Sequence, residues 1–306
     1  MNLFMDNKEN YEVVIIGGSY AGLSAAMALG RSLRKVLIID SGLPCNKQTP
    51  KSHNVITLDG VKPSEITLKA KLQVLKYSTV QFLEDVAIEG YGTNNNFHII
   101  TKSGKKISAK KLIFATGIKD TMPSIKGFSD CWGISVIHCP YCHGYEIRNQ
   151  KTGIIGNGAH AIHLASLVNN LTDDITVLTN GTSELDAEQI LKLKKNNIKI
   201  IEKEISEIVH EKGLMKNVIF KDGSKESFKA AYGVVPFTQH SNIPESLGCE
   251  LTDSGHINVN DFQKTTVDGI FACGDNSIMM RSVSNAINSG TISGAMLNKE
   301  LVDEKF

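Results

Sequence analysis

The feature that most constrains this chain lies near its N-terminus, in a strand–turn–helix–strand pattern. Val13, Val14, Ile15 and Ile16 form a continuous apolar run, as expected of a parallel strand buried on both faces. It stops at Gly17-Gly18-Ser19-Tyr20-Ala21-Gly22, and Leu23 to Leu29 then reads as an Ala-rich helix. A second apolar run, Lys35 to Ile39, ends in Asp40. One βαβ unit of this kind commits the chain to a largely parallel sheet covered by helices. Gly17 permits the tight turn and Gly22 permits close helix–strand packing. The small positions between them let backbone N–H groups approach a pyrophosphate at the helix N-terminus. The middle glycine position is taken by Ser19, whose side chain is small enough to fit. Asp40, roughly 20 residues on, is placed to hydrogen-bond a ribose hydroxyl. The competing reading is a tight turn that holds no ligand.

The pattern recurs once. Gly153, Ile154 and Ile155 lead into Gly156-Asn157-Gly158-Ala159-His160-Ala161, then a helical stretch through Asn170 and a strand from Ile175 to Leu178. A chain of 306 residues suits two domains, so the expected fold is α/β with two Rossmann-like, doubly wound nucleotide-binding domains. Gly156, Gly158 and Ala161 fit a second dinucleotide turn. After Leu178, however, come Thr179, Asn180 and Gly181, with no acid for a ribose diol and no Arg for a 2′-phosphate. Glu184 would repel such a phosphate, and the nearest cations, Lys192, Lys194 and Lys195, lie later on a helix. Pyridine-nucleotide binding and a turn that has kept its glycines without a ligand both stay open here. His160 and His163 read as surface residues. Further strands are expected at Phe97–Thr101, Lys110–Phe114, Ile198–Ile201, Ile205–Val209, Val218–Phe220, Tyr232–Val235 and Ile270–Cys273. Asp222-Gly223 reads as a turn, and a small-residue helix from about Ser284 to Glu300 closes the chain.

Composition excludes several function classes. Net charge is +1, from 33 basic and 32 acidic residues, which gives no reason to expect nucleic acid or an anionic membrane as partner. No run of 18 apolar residues and no N-terminal apolar segment suggests a membrane span or signal peptide, so a soluble cytoplasmic protein is expected. Six Cys in a chain this long do not make a disulfide scaffold.

Two of the six stand in His138-Cys139-Pro140-Tyr141-Cys142-His143-Gly144-Tyr145-Glu146. The spacing lets both sulfurs meet in a small ring, and Pro140 suits the first position of a helix, whose N-terminus lowers a thiol pKa. His143 can exchange a proton beside the pair. A redox-active dithiol is the reading adopted. A zinc site wants a second ligand pair, a c-type haem wants export and a haem-sized helical domain, and a structural pair of buried thiols is the bland alternative.

The order of these motifs, with Ala115-Thr116-Gly117 before the Cys pair and Gly274-Asp275 near the end, resembles the low-molecular-weight thioredoxin reductase family of FAD-dependent pyridine nucleotide–disulfide oxidoreductases. The resemblance covers nearly the whole chain. It implies a discontinuous FAD domain, residues 1–118 and 241–306, and an inserted NAD(P)H-type domain, residues 119–240, that carries the Cys pair. It implies FAD contacts from Gly17, Gly18, Ser19, Tyr20, Ala21, Gly22, Asp40, Asn54, Val86, Ala115, Thr116, Gly117, Gly274 and Asp275. Cys142 would face the flavin and Cys139 would exchange with substrate, either a small dithiol or disulfide or a thioredoxin-like protein. A homodimer is implied as well, and no metal is expected. Two departures from the reductases matter. His143 stands where they carry an acid, and the arginine cluster of the NADPH domain is missing. Both are similar to the dithiol-oxidase branch, such as the enzymes that close disulfides in gliotoxin and holomycin, which run the chemistry toward oxygen.

The expected function is therefore an FAD-dependent thiol–disulfide oxidoreductase, not efficiently driven by NADPH, with His143 as acid–base. An NADPH-dependent thioredoxin reductase and a flavin-binding redox sensor are the alternatives. Cys45, Cys131, Cys249 and Cys273 are expected to be structural, Trp132 to pack, Arg281 to be solvated, and His53-Asn54 to lie in a loop near the flavin.

Overall fold

A computed structural model describes residues 9–306. The chain divides into two compact units. One comprises residues 9–47, Ser64–Lys119 and Phe237–Phe306; the other comprises Gln48–Pro63 and Asp120–Pro236.

The first unit is built on the strand Glu9–Ile16. Val13, Val14 and Ile15 are fully buried, as a run apolar on both faces requires. On one side it pairs in parallel with Val36–Asp40, which pairs with Val80–Glu84. On the other it pairs in parallel with the long strand Lys106–Phe114. That strand is shared along its length. Its first half runs antiparallel to Asn96–Thr101, and its last residues run parallel to Ile270–Ala272. The closing helix, Val283–Asp303, packs on the turn helix Tyr20–Arg31. Gly290 and Gly294 make that approach possible: a Cβ at either would lie 2.1 Å from the Ala21 carbonyl oxygen or 2.5 Å from that of Ala25. Lys111, buried inside the sheet, ties the helix down. Its Nζ donates to Asn94 Oδ1 at 2.6 Å, to Glu300 at 2.8 Å and to Glu304, so the buried charge is paired.

In the second unit five parallel strands run in the order Lys199–Ile201, Ile175–Leu178, Thr152–Ile155, Ala230–Gly233, Val136–Ile137. An antiparallel meander, Ile205–Glu211, Leu214–Phe220 and Lys225–Ser227, accompanies it. Asp222-Gly223 is the turn into its last strand, with Gly223 at φ +84°. The sequence-based boundaries differ from these units at Gln48–Pro63 and at the two joins, where residue 119 and residues 237–240 group with the first unit. Gln48–Pro63, expected with the first unit, packs with the second. Gln48 Nε2 donates to the carbonyls of Ser129 and Trp132, at 3.1 and 2.5 Å. Trp132 packs, stacked against Phe128 and His138, with its Nε1 donating to Asp120 at 3.0 Å.

Candidate active site

In the first unit the parallel register gathers the expected cofactor residues at one edge of the sheet. Ile16 lies opposite Ile39 and Phe114, and Phe114 lies opposite Ala272. Gly17, Asp40, Ala115 and Gly274 therefore all stand at carboxyl ends of strands. The strand order reverses at Glu9–Ile16, and an open α/β sheet offers its binding crevice at that reversal. The glycines are sterically required. A Cβ on Gly17 would lie 2.2 Å from the Ala115 carbonyl oxygen, and one on Gly22 would lie 1.9 Å from that of Gly17. Ser19 is the N-cap of Tyr20–Arg31, yet its own side chain makes no capping hydrogen bond and the first turn carries no acid. The positive end of the helix dipole is left for an anion.

Asp40 is fastened to the turn itself: Oδ1 accepts from Gly18 N at 2.8 Å and Oδ2 from Gly42 N at 3.1 Å. Across the crevice floor, Asn276 joins the two remaining motifs. Its Nδ2 donates to the Phe114 carbonyl at 2.8 Å and to Thr116 Oγ1 at 3.3 Å. Its buried Oδ1 has no hydrogen-bond partner among the described residues, as fits a side chain awaiting a donor from a bound group. Gly117, at φ +63°, has open space where a Cβ would stand. Tyr20 is buried, with its hydroxyl accepting from Asn46 Nδ2 at 3.3 Å. Val86 is exposed, its amide donating to Asp85 Oδ1 at 2.8 Å. These residues fit a dinucleotide cofactor. One expectation needs correcting. Arg281 is not solvated: its Nε stands 3.6 Å from Asp275 Oδ2, with 17% of the side chain exposed. Cys45 is exposed, whereas Cys131, Cys249 and Cys273 are buried. Burial pushes the Cys273 thiol up to about 12, which makes it inert.

The second unit holds the Cys pair. Cys139 is the N-cap of the short helix Pro140–His143, with Pro140 at its first turn as expected, and its sulfur accepts from Cys142 N at 3.2 Å. Cys139 and Cys142 are joined by a disulfide, with Cα atoms 5.3 Å apart. His143 follows, half-buried. Its imidazole pKa is pushed below the ordinary value, first by desolvation and then by the nearby His53, while Glu146 opposes the shift. His53 and Asn54 fall in the same compact unit as the disulfide. Asn54, at φ +58°, donates its amide to Asp59 Oδ1 at 2.8 Å. Tyr141, between the two cysteines, and Tyr145, three residues after them, are exposed. The arrangement joins a disulfide to a following imidazole whose pKa is held low, a pairing suited to thiol–disulfide exchange.

The second glycine turn is occupied by its own side chains. Asn157 caps Gly158–Val168, and its Oδ1 accepts from Gly158 N at 3.0 Å and Glu184 N at 2.8 Å. Its Nδ2 donates to the Thr182 carbonyl at 2.9 Å. The Glu184 carboxylate lies 3.6 Å from where a Gly158 Cβ would stand. Ala161 is buried behind Gly156. Lys192 is engaged by Glu188 at 2.7 Å on its own helix. Among the described residues, no group of three or more His, Cys, Asp or Glu could hold a metal ion, and no helix is long and apolar enough to cross a membrane.

Residues 11–290 match the family described as pyridine nucleotide-disulphide oxidoreductase. Thioredoxin reductase tcpT of Claviceps purpurea is 32% identical, over 97% of this chain and 96% of its own. Thioredoxin reductase aclD of Aspergillus oryzae is 30% identical, over 96% and 98%. Among solved structures, an oxidoreductase from Agrobacterium tumefaciens is 34% identical and covers 96% of this chain and 99% of its own, with a TM-score of 0.90. The chain thus belongs to the pyridine nucleotide-disulphide oxidoreductase family, as a thioredoxin reductase-like flavoenzyme with two Rossmann-type domains and FAD as its cofactor.

Proposed function

We propose that this enzyme passes electrons between a dithiol or disulfide substrate, the Cys139–Cys142 pair and FAD, and that NADPH does not drive it efficiently. The observation that carries the reading is the disulfide at the start of Pro140–His143 with the half-buried His143 next in sequence to Cys142. Gly17–Gly22, Asp40, Ala115–Gly117, Gly274 and Asp275 would hold FAD, with Asn54 and Val86 as further contacts. When bound, FAD supplies a two-electron acceptor and donor.

The protein's own steps are exchange and proton transfer. A substrate thiolate attacks Cys139 Sγ, the S–S bond breaks, and the electron pair leaves on Cys142 Sγ. The second substrate thiol then closes on the first substrate sulfur and frees Cys139. The substrate ends as a disulfide and the protein pair as two thiols. His143 takes the proton of the attacking thiol, a role its depressed pKa suits at neutral pH. The arginine-free Thr179–Glu184 segment, tied across the second turn by Asn157, supports a weak pyridine-nucleotide site. The relatives' name, thioredoxin reductase, favours a second reading in which NADPH reduces a thioredoxin-like partner. A homodimer in the cytoplasm belongs to either reading, and sedimentation of the holoenzyme tests the assembly.

The direct test is Cys139→Ser and Cys142→Ser. Each is expected to retain FAD and lose dithiol-dependent turnover by about a thousandfold or more, as removal of a nucleophile does. Full disulfide-exchange activity in both variants would show that the pair is structural.

A further inference from the structure

His143, which follows the disulfide in sequence, has a second imidazole against it. The segment Gln48–Pro63 brings His53 to it, ring against ring, with centroids 6.2 Å apart and planes at 89°. The His53 ring is held from both ends: Nδ1 stands 3.4 Å from Asp59 Oδ2 and Nε2 stands 3.6 Å from Glu146 Oε1. Only 16% of the His53 side chain is exposed, against 66% for Asp59 and 41% for Glu146. A half-buried imidazole with a carboxylate at each nitrogen has a fixed orientation and a route for protons to solvent-exposed groups. Glu146 reaches it from the turn that follows the Cys pair, so the clamp links two distant stretches of chain at the site of exchange.

We infer that His53, clamped by Asp59 and Glu146 with its ring edge-on to His143, is a positioning residue that keeps His143 available as proton acceptor for exchange at Cys139–Cys142. The inference rests on the dithiol reading above. His53 and Glu146 act on His143 in opposite senses: the first disfavours its charged form and the second favours it. The other titratable groups around His143 are few. The helix Gly158–Val168, which packs on this turn, carries His160 and His163, both exposed. The Tyr232 hydroxyl lies beneath Gly144, where a Cβ would stand 2.9 Å from it. Burial pushes its pKa well up, so it stays protonated. Tyr145 is exposed beneath the Arg148 guanidinium, 3.8 Å from its ring centre. Among these, His53 and Glu146 are the groups that shift His143.

The test is the anaerobic reduction of the disulfide in the holoenzyme by dithiothreitol. The freed Cys139 and Cys142 thiols are trapped by alkylation and counted by mass spectrometry, from pH 4.5 to 7.5. Dithiothreitol stays mostly protonated over this range, and subtracting the rate of His143→Gln removes direct attack by the free thiolate. The difference should climb along an acid limb set by His143. In His53→Asn that limb should move up by about half a pH unit, the Coulomb effect of one charge at 6.2 Å in water-like surroundings. In Glu146→Gln, where the exposed side chain poses no risk to folding, it should move down. Unmoved limbs, or limbs that move the same way in both variants, overturn the inference while leaving the dithiol reading intact. A His143→Gln rate equal to wild type at every pH, or a disulfide that dithiothreitol does not reduce, overturns the dithiol reading and the inference with it.

Discussion

The two glycine turns of this chain share a sequence pattern and differ in what they leave open. In the first, a Cβ on Gly22 would collide with the Gly17 carbonyl at 1.9 Å, the Ser19 side chain makes no capping hydrogen bond, and the first helical turn carries no acid. In the second, a Cβ on Gly156 would meet nothing closer than 3.9 Å, Asn157 already caps the helix, and the Glu184 carboxylate stands beside Gly158. The first turn is tight and electrically vacant, as a pyrophosphate site must be. The second is looser and satisfied by its own residues. Glycine spacing reports a turn; whether the turn binds an anion depends on which groups reach its N–H donors.

The most severe way to break this contrast is to add one methyl group to each turn. Gly22→Ala should lose nearly all bound FAD, because the Gly17 carbonyl cannot retreat without opening the turn. Gly156→Ala, in ordinary contact only, should retain it. Flavin absorbance per protein, measured after purification, reads both. Equal flavin content in the two variants would contradict the account.

A smaller effect should come from recharging the second turn. A 2′-phosphate gains about 1.5–3 kcal/mol from each charge-assisted hydrogen bond. Thr182→Arg combined with Glu184→Arg removes a repulsion and offers two cations. NADPH affinity should rise about a hundredfold, with NADH affected far less, as seen by fluorescence titration. No gain would mean that Asn157, rather than charge, closes the site.

Much of this was legible in the sequence, for reasons that can be named. The run Val13–Ile16 announces a strand buried on both faces, and the small-residue run near the C-terminus forms the helix Val283–Asp303. The Cys-x-x-Cys with Pro140 at its first turn is local chemistry, and it forms as read. What could not be read depends on contacts between distant stretches. His53, Asp59 and Glu146 carry no spacing that marks them as neighbours. Asn276 follows a recognisable Gly-Asp pair, but its bonds to Phe114 and Thr116 are tertiary. Arg281 looks like any surface cation until Asp275 stands beside it. Lys111 follows Lys110 just before an apolar run and is nonetheless buried, because Glu300 and Glu304 reach back to it from the last helix.

The smallest predicted effect concerns pH. Burial holds the folded His143 pKa below the unfolded imidazole value of about 6.5. Between those two values the unfolded chain binds more protons than the folded one. The neutral-His143 contribution to stability is therefore full above the unfolded value and falls away as pH drops toward the folded one. Denaturant midpoints should decline across that window, and His143→Gln should flatten the decline. An unchanged slope would place the titration elsewhere.

The central claim is that electrons enter this flavoenzyme from a dithiol through Cys139–Cys142 and only poorly from a pyridine nucleotide. One anaerobic titration of the holoenzyme, adding dithiothreitol, NADPH or NADH in separate cuvettes and following flavin absorbance, tests it most directly. The account predicts that the dithiol bleaches the flavin and that NADPH does so slowly, with little preference over NADH. Rapid stoichiometric bleaching by micromolar NADPH, with NADH inert, would contradict it and make the second glycine turn a working nucleotide site.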